Sequence, residues 1–170
     1  MRILDATAGC RGIWYQKNHP DVTFLDKRKG VFGKNIKYNI NPDVVCEWKD
    51  MPFPDNTFDM VIFDPPHIIQ NAESGDMVAE YGKLGTKTWK DELKVGFNQC
   101  FRVLKEDGIF ILKWAECIES KGKKINELLE MIEYNPLVGT RVGYRSTTLW
   151  IIFKKDKISL KSCTCRWCVI

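Results

Sequence analysis

The sequence predicts a protein of the α/β class, with strands and helices in alternation, and three observations predict it. Arg2-Ile3-Leu4-Asp5-Ala6 reads as a short strand ending in an acid, followed by the glycine-bearing turn Thr7-Ala8-Gly9-Cys10-Arg11-Gly12 and then a helical stretch. Val22-Thr23-Phe24-Leu25-Asp26 repeats the pattern, with Asp26 lying 21 residues after Asp5. Phe58-Asp59-Met60-Val61-Ile62-Phe63 reads as a buried strand that delivers Asp64-Pro65-Pro66-His67. Ligands of open α/β sheets bind outside the carboxyl ends of the strands, which is where these acids fall.

Taken in order, the first turn is followed by an expected helix over Ile13-Trp14-Tyr15-Gln16-Lys17, stopped at Asn18-His19-Pro20 because proline restricts the residue before it. Gly9 and Gly12 let the backbone approach a ligand, although a lone Gly-x-x-Gly also suits an ordinary tight turn. An acid closing the second strand is placed to accept ribose hydroxyls; a solvated strand end is the plainer alternative for Asp26. Lys27-Arg28-Lys29 form a short basic turn. Residues 31–41 read as a short helix or turn, and Val44-Val45-Cys46-Glu47 as the third strand. Asp50, just before Met51-Pro52-Phe53-Pro54, is placed to meet the amine of a bound adenine, and Asn56 turns the chain into the fourth strand.

Residues 68–88 form a long loop with Gly75, Gly82 and Gly85. Loops of this length in compact domains are commonly lids or binding loops, and its position after the tetrad favours a substrate lid, with helix expected around Asp76–Tyr81. Thr88 is the expected cap of the next helix, with Asp91 three residues on. Trp89, Leu93, Phe97, Cys100 and Leu104 recur at helical spacing and so mark a core-facing stripe. Gly108 is expected to take a backbone state that other residues avoid, ahead of a fifth strand over Ile109-Phe110-Ile111-Leu112-Lys113-Trp114. A helix is expected within 122–135, preceded by Lys121, Lys123 and Lys124, and then two late strands over 138–142 and 147–153 joined by a hairpin-like turn at 143–146.

The chain has 170 residues, 44% hydrophobic and 28% charged, which suits one domain over residues 1–155 and a basic tail over 156–170. Its formal charge of +4 is compatible with a polyanionic partner without requiring one. No apolar run approaches the roughly 20 residues that span a bilayer. With no leader segment legible, the expectation is a cytoplasmic protein without a membrane partner. Seven cysteines make an odd count that argues against a disulfide framework. Cys163, Cys165 and Cys168 cluster in the tail, but three thiolates fall short of the four ligands of a closed zinc site, so no metal is expected.

These residues together resemble the class I S-adenosylmethionine-dependent methyltransferases, and within them the enzymes that methylate adenine N6 or cytosine N4 in nucleic acid. The resemblance covers nearly all of residues 2–153. Asp5-Ala6-Thr7-Ala8-Gly9-Cys10-Arg11-Gly12 stands where that family has its cofactor loop, with Ala8 and Arg11 as departures. Glu47 to Asp59 and Phe101 to Gly108 look like its junctions before the fourth and fifth strands. Asp64-Pro65-Pro66-His67 matches its Asp/Asn-Pro-Pro-aromatic tetrad, with His67 where a tyrosine, phenylalanine or tryptophan is usual. The resemblance implies a Rossmann-like, mostly parallel seven-stranded sheet with an antiparallel C-terminal strand and helices on both faces. It implies S-adenosyl-L-methionine as cofactor, bound by Asp5, Ala6, Thr7, Ala8, Gly9, Gly12, Asp26, Lys27, Asp50, Met51 and Asp64. It implies Asp64, Pro65, Pro66 and His67 as the catalytic set, and nucleic acid as partner, DNA ahead of RNA.

Methylation of RNA, of a small molecule or of a protein, and a non-catalytic binding module of the same fold, are the other readings. The presence of Asp5, Asp26, Asp50 and Asp64 together speaks against the last. Room for target recognition is confined to the 68–88 loop and the 143–146 turn, and the oligomeric state, monomer or homodimer, is open.

Overall fold

The computed structural model describes residues 1–70, 75–117, 123–142 and 147–156, with the side chains of 141 and 142 left aside. The tail with its three cysteines and the 143–146 turn lie outside the described residues. Seven strands form one sheet: β1 (Ile3–Asp5), β2 (Val22–Asp26), β5 (Val44–Val45), β6 (Phe58–Phe63), β7 (Leu104–Glu116), β8 (Pro136–Val142) and β9 (Thr147–Lys154). Their spatial order is β5-β2-β1-β6-β7-β9-β8. The first five pair in parallel, while β9 runs antiparallel between β7 and β8. The expected sheet, with its antiparallel C-terminal strand, is therefore present.

Alternation along the strands sorts side chains to two faces. Leu4, Leu25, Val61, Phe63, Phe110, Leu112 and Phe153 face α2 (Trp89–Val103) and α3 (Ile125–Leu129) in the main core. Four of the five predicted stripe residues, Trp89, Leu93, Phe97 and Cys100, form the buried face of α2, while Leu104 instead opens β7 because the helix ends at Val103. Its rings interlock edge to face, Phe97 against Phe63 at 5.7 Å and against Phe110 at 6.3 Å. Ile3, Val22, Phe24 and Ile62 point to the other face, where Ile13 and Trp14 pack on them from turns. The expected helical cover of both faces is thus met on the first, while irregular chain covers this part of the second.

Several local expectations are corrected. No helix forms over 13–17. The seven residues between Gly12 and Pro20 are too few to offset the cost of helix nucleation, and Arg11, at φ 58, holds the segment as a closed turn. Its guanidinium donates to the carbonyl of Lys17 at 2.7 Å, to Asn18 Oδ1 at 2.6 Å and to the carbonyl of Asn41 at 2.8 Å. It also lies 3.9 Å from the ring centroid of Phe24. Residues 30–40 form a hairpin of β3 (Gly30–Phe32) and β4 (Tyr38–Ile40), paired antiparallel. Val31, Phe32, Tyr38 and Ile40 are β-branched or aromatic, and cross-strand pairing overrides any short helical tendency. Thr88 makes no cap through its side chain; its hydroxyl donates to Glu92 Oε1 at 2.5 Å. The left-handed residue ahead of the Ile109–Trp114 stretch is Asp107 (φ 62), one position earlier than expected and already within β7. The helix within 122–135 is short, with Ile125 and Leu128 its buried pair. The turn at Asn56 (φ 53) and the helix α1 (Asp76–Tyr81) stand where expected.

Candidate active site

The carboxyl ends of β1, β2, β6 and β7 surround a cavity of about 350 Å³. The turn after β1 is stitched across this edge by its own backbone. The Ala6 amide donates to the Ile62 carbonyl and the Ala8 amide to the Leu25 carbonyl, both at 2.9 Å. Gly9 then turns left-handed at φ 50, and its amide donates to Asp26 Oδ2 at 2.9 Å. A side chain at that φ would be strained, so glycine is what allows the loop to lie against the second strand.

Asp5 forms the floor. It is 1% exposed, and its carboxylate accepts from the Trp14 indole at 2.7 Å and the Thr7 amide at 3.1 Å. Burial pushes its pKa up to about 7; those two donors oppose the rise, and the nearby carboxylates of Asp64 and Asp26 add to it. Asp26, also buried, accepts from the Arg28 amide at 2.8 Å and Arg28 Nε at 3.3 Å in addition to Gly9.

The end of α1 borders this site. The Arg28 guanidinium reaches α1, donating to the carbonyls of Ala79 at 2.9 Å and Glu80 at 3.2 Å. Cationic donors at a helix C-terminus satisfy carbonyls that have no partner within the helix, so Arg28 ties the second strand's end to α1. Glu80, Tyr81 and Gly82 line the cavity. Gly82 has φ 75, and a side chain there would press on the ring of Pro66 at 3.2 Å.

Asp64 stands at the end of β6 in the cavity wall, its amide donating to Thr7 Oγ1 at 2.8 Å. Lys113 projects from β7 and donates to Asp64 Oδ2 at 2.6 Å, with both side chains under a fifth exposed. Burial raises the Asp64 pKa, and the Lys113 ammonium, helped by His67, holds it back. Pro65 and Pro66 are buried, and His67 lies 5.4 Å from Tyr81, ring to ring, at 52°. Burial, followed by a hydrogen bond with Glu80, lifts the Tyr81 phenol to about 12.

Of the residues singled out in the sequence, Asp5, Ala6, Thr7, Ala8, Gly9, Gly12, Asp26, Lys27, Asp64 and Pro66 line one cavity. Pro65 and His67 lie beside it in the chain without lining it. Asp50 is exposed at the end of the single 3-10 turn Trp48–Asp50, and Met51 is buried in the main core. Trp48 is the member of that turn that reaches the cavity. Sequence reasoning assigned no role at this site to Arg28, Trp48, Glu80, Tyr81 or Lys113. Lys113 did leave a signal, a lone cation in the apolar strand Ile109–Trp114 near its carboxyl end, where ligand sites gather. Among the described residues, no group of three or more His, Cys, Asp and Glu could hold a metal ion. No helix among them is long and apolar enough to cross a membrane.

No protein-family model matches this sequence, and no curated protein matches it. Solved structures do match. A protein of Pyrococcus horikoshii superposes with a TM-score of 0.58 at 13% identity, over 91% of this chain and 82% of the other. A SAM-dependent methyltransferase of Methanosarcina mazei gives 0.57 at 13%, over 91% and 92%. The 1,6-didemethyltoxoflavin-N1-methyltransferase of Burkholderia thailandensis, with S-adenosylhomocysteine bound, gives 0.55 at 15%, over 91% and 70%. The fold is that of the class I methyltransferases. At these identities the likeness establishes the fold, and the chemistry has to be argued from the site.

Proposed function

We propose that this chain is an S-adenosylmethionine-dependent methyltransferase acting on an exocyclic amine of a nucleic-acid base, adenine N6 or cytosine N4, with DNA preferred to RNA. The observation that carries the reading is Asp64. It opens the Asp-Pro-Pro-His segment and also stands in the wall of a cavity lined by the glycine turn and Asp26.

The residues present fit an adenosyl cofactor. The cavity of about 350 Å³ falls within the range of small-molecule sites. Asp26 is the partner for ribose hydroxyls, accepting them as Arg28 yields Oδ1. Trp48 brings its turn to the cavity's edge, and Asp50, two residues on, is the proposed partner of the adenine amine, with Met51 packed beneath.

When bound, the cofactor supplies an electrophilic methyl carbon on a sulfonium. The chain's task is to prepare a poor nucleophile, because the lone pair of an aromatic amine is delocalised into its ring. The Asp64 carboxylate and the Pro65 carbonyl accept the two amine hydrogens, which draws the nitrogen towards tetrahedral geometry and directs its lone pair at the methyl carbon. The prolines fix φ and so hold the two acceptors in place. This is preorganised electrostatics combined with alignment. Lys113 orients Asp64 and opposes the rise of its pKa on burial. With the methyl group supplied by the bound cofactor, Asp64 would take the proton that the amine nitrogen sheds. His67 and Tyr81 offer flat surfaces to the base, which in a duplex must first be flipped out.

The substrate named for the Burkholderia protein, 1,6-didemethyltoxoflavin, favours a second reading in which the acceptor is a small heterocycle. Incubation with tritiated S-adenosylmethionine against DNA, RNA and small-molecule pools, followed by nucleoside analysis, separates the two. Label in N6-methyladenine or N4-methylcytosine is the expected result. Asp64→Ala should lose transfer at saturating cofactor by at least about a hundredfold, the order typical of removing one such electrostatic group. Near-normal turnover by that variant sinks the mechanism.

A further inference from the structure

We propose that Gly96 is a positioning residue for the cofactor, the notch in α2 that seats the indole of Trp48 at the cavity wall. The proposal rests on the cofactor reading above. Glycine inside a helix is destabilising relative to alanine, and Gly96 is buried midway along α2. Close approach accounts for it. A Cβ at 96 would lie 2.8 Å from Phe63 Cζ, 3.0 Å from Trp48 Cδ1 and 3.2 Å from Trp48 Nε1. Non-bonded carbon atoms pack at about 3.5–4.0 Å, so the methyl group of alanine fits only if those rings move.

Trp48 has one edge against this notch and also lines the cofactor cavity, whereas Gly96 is not among the lining residues. Phe63 meets the indole edge to face at 5.8 Å and 74°. Lys27, which lines the cavity too, holds its ammonium 5.8 Å from the centre of the ring. The indole N–H is buried and finds no acceptor among the described residues. No hydrogen bond to those residues therefore fixes the ring. Its place is set by shape, and the missing side chain at 96 is part of that shape. Filling the notch drives the indole off α2, and the open space it borders is the cavity of about 350 Å³. The end affected is the one assigned to adenine, because Asp50 lies two residues beyond Trp48 in the same turn.

Calorimetric titration with S-adenosylhomocysteine of wild type, Gly96→Ala, Trp48→Leu and the double variant tests this. Overpacking by a single methyl group is sufficient to shift an equilibrium by about tenfold, so Gly96→Ala should weaken binding about tenfold at unchanged stoichiometry. A merely structural role would lower the fraction of competent protein, and with it the stoichiometry, without moving the dissociation constant. In the Trp48→Leu background the added methyl group should change affinity by less than about twofold, because no indole edge is left to displace. Its contact with Phe63 is common to both backgrounds and cancels. An unchanged dissociation constant in folded Gly96→Ala overturns the proposal, and so does an equal loss in the two backgrounds. Should Gly96→Ala not fold, Trp48→Leu alone decides: weaker binding supports the seated indole as cavity wall, and unchanged affinity overturns it. A wild-type protein that binds no S-adenosylhomocysteine brings down the cofactor reading itself, and the proposal with it.

Discussion

Replacing Asp5 by asparagine isolates the energetic tension at the centre of this site. Asp5 is 1% exposed, and its pKa is pushed from 3.8 up to about 7, chiefly by burial. Between those values the unfolded chain has released the proton while the folded protein still holds it. Stability is therefore fully present below about 3.8, declines as pH rises, and reaches its floor above about 7. At about 1.4 kcal/mol per pH unit the decline amounts to roughly 4 kcal/mol. Asparagine cannot ionise and resembles the protonated acid: it accepts the Trp14 indole bond but leaves the Thr7 amide facing its NH₂ group, a loss of about 1 kcal/mol. Asp5→Asn should be slightly less stable than wild type near pH 4, and more stable by about 3 kcal/mol near pH 8.5. Urea unfolding at the two pH values measures this, because titrating groups remote from Asp5 cancel in the difference, while Asp64 and Asp26, which sense its charge, shift with it in the same direction. The same variant should bind S-adenosylhomocysteine more weakly by calorimetry, since a buried charge kept at such a cost is one that function uses. Equal stability of the two proteins at both pH values would refute the reasoning.

Three further outcomes are expected. Lys113→Met removes the ammonium that holds the Asp64 pKa down, so the acid limb of the pH–rate profile should move to higher pH, and Lys113→Arg should restore it; breaking this buried pair should also cost about 3–5 kcal/mol of stability at neutral pH, readable by chemical denaturation. Asp26→Ala should weaken S-adenosylhomocysteine binding far more than it slows transfer at saturating cofactor, and unchanged affinity in calorimetry removes its ribose role. Phe97→Ala, in the ring cluster beneath β6 and β7, should destabilise the fold by about 3–5 kcal/mol, with a denaturation midpoint close to wild type as the contrary result.

The sequence by itself determined what depends on local pattern. Strands ending in Asp5, Asp26 and Asp64, the α2 stripe and the Asp-Pro-Pro-His segment are all legible, because strand and helix periodicities are short-range and proline and glycine act on their own backbone. The helix at Asp76–Tyr81 was legible for the same reason. Only the tertiary structure decided the rest. The 13–17 segment is a turn because Arg11 finds acceptors as distant in sequence as Asn41. Residues 30–40 are a hairpin because two weak strands pair with each other. Lys113, 49 positions from Asp64, meets it because β6 and β7 are neighbours in register. Arg28 reaches α1 across about 50 residues, and so a short basic turn becomes the tie between the end of β2 and α1. Contacts of that separation follow from sheet order, and no local spacing encodes sheet order. The tetrad's first residue was therefore visible in one dimension, whereas its pairing with Lys113 was visible only in three.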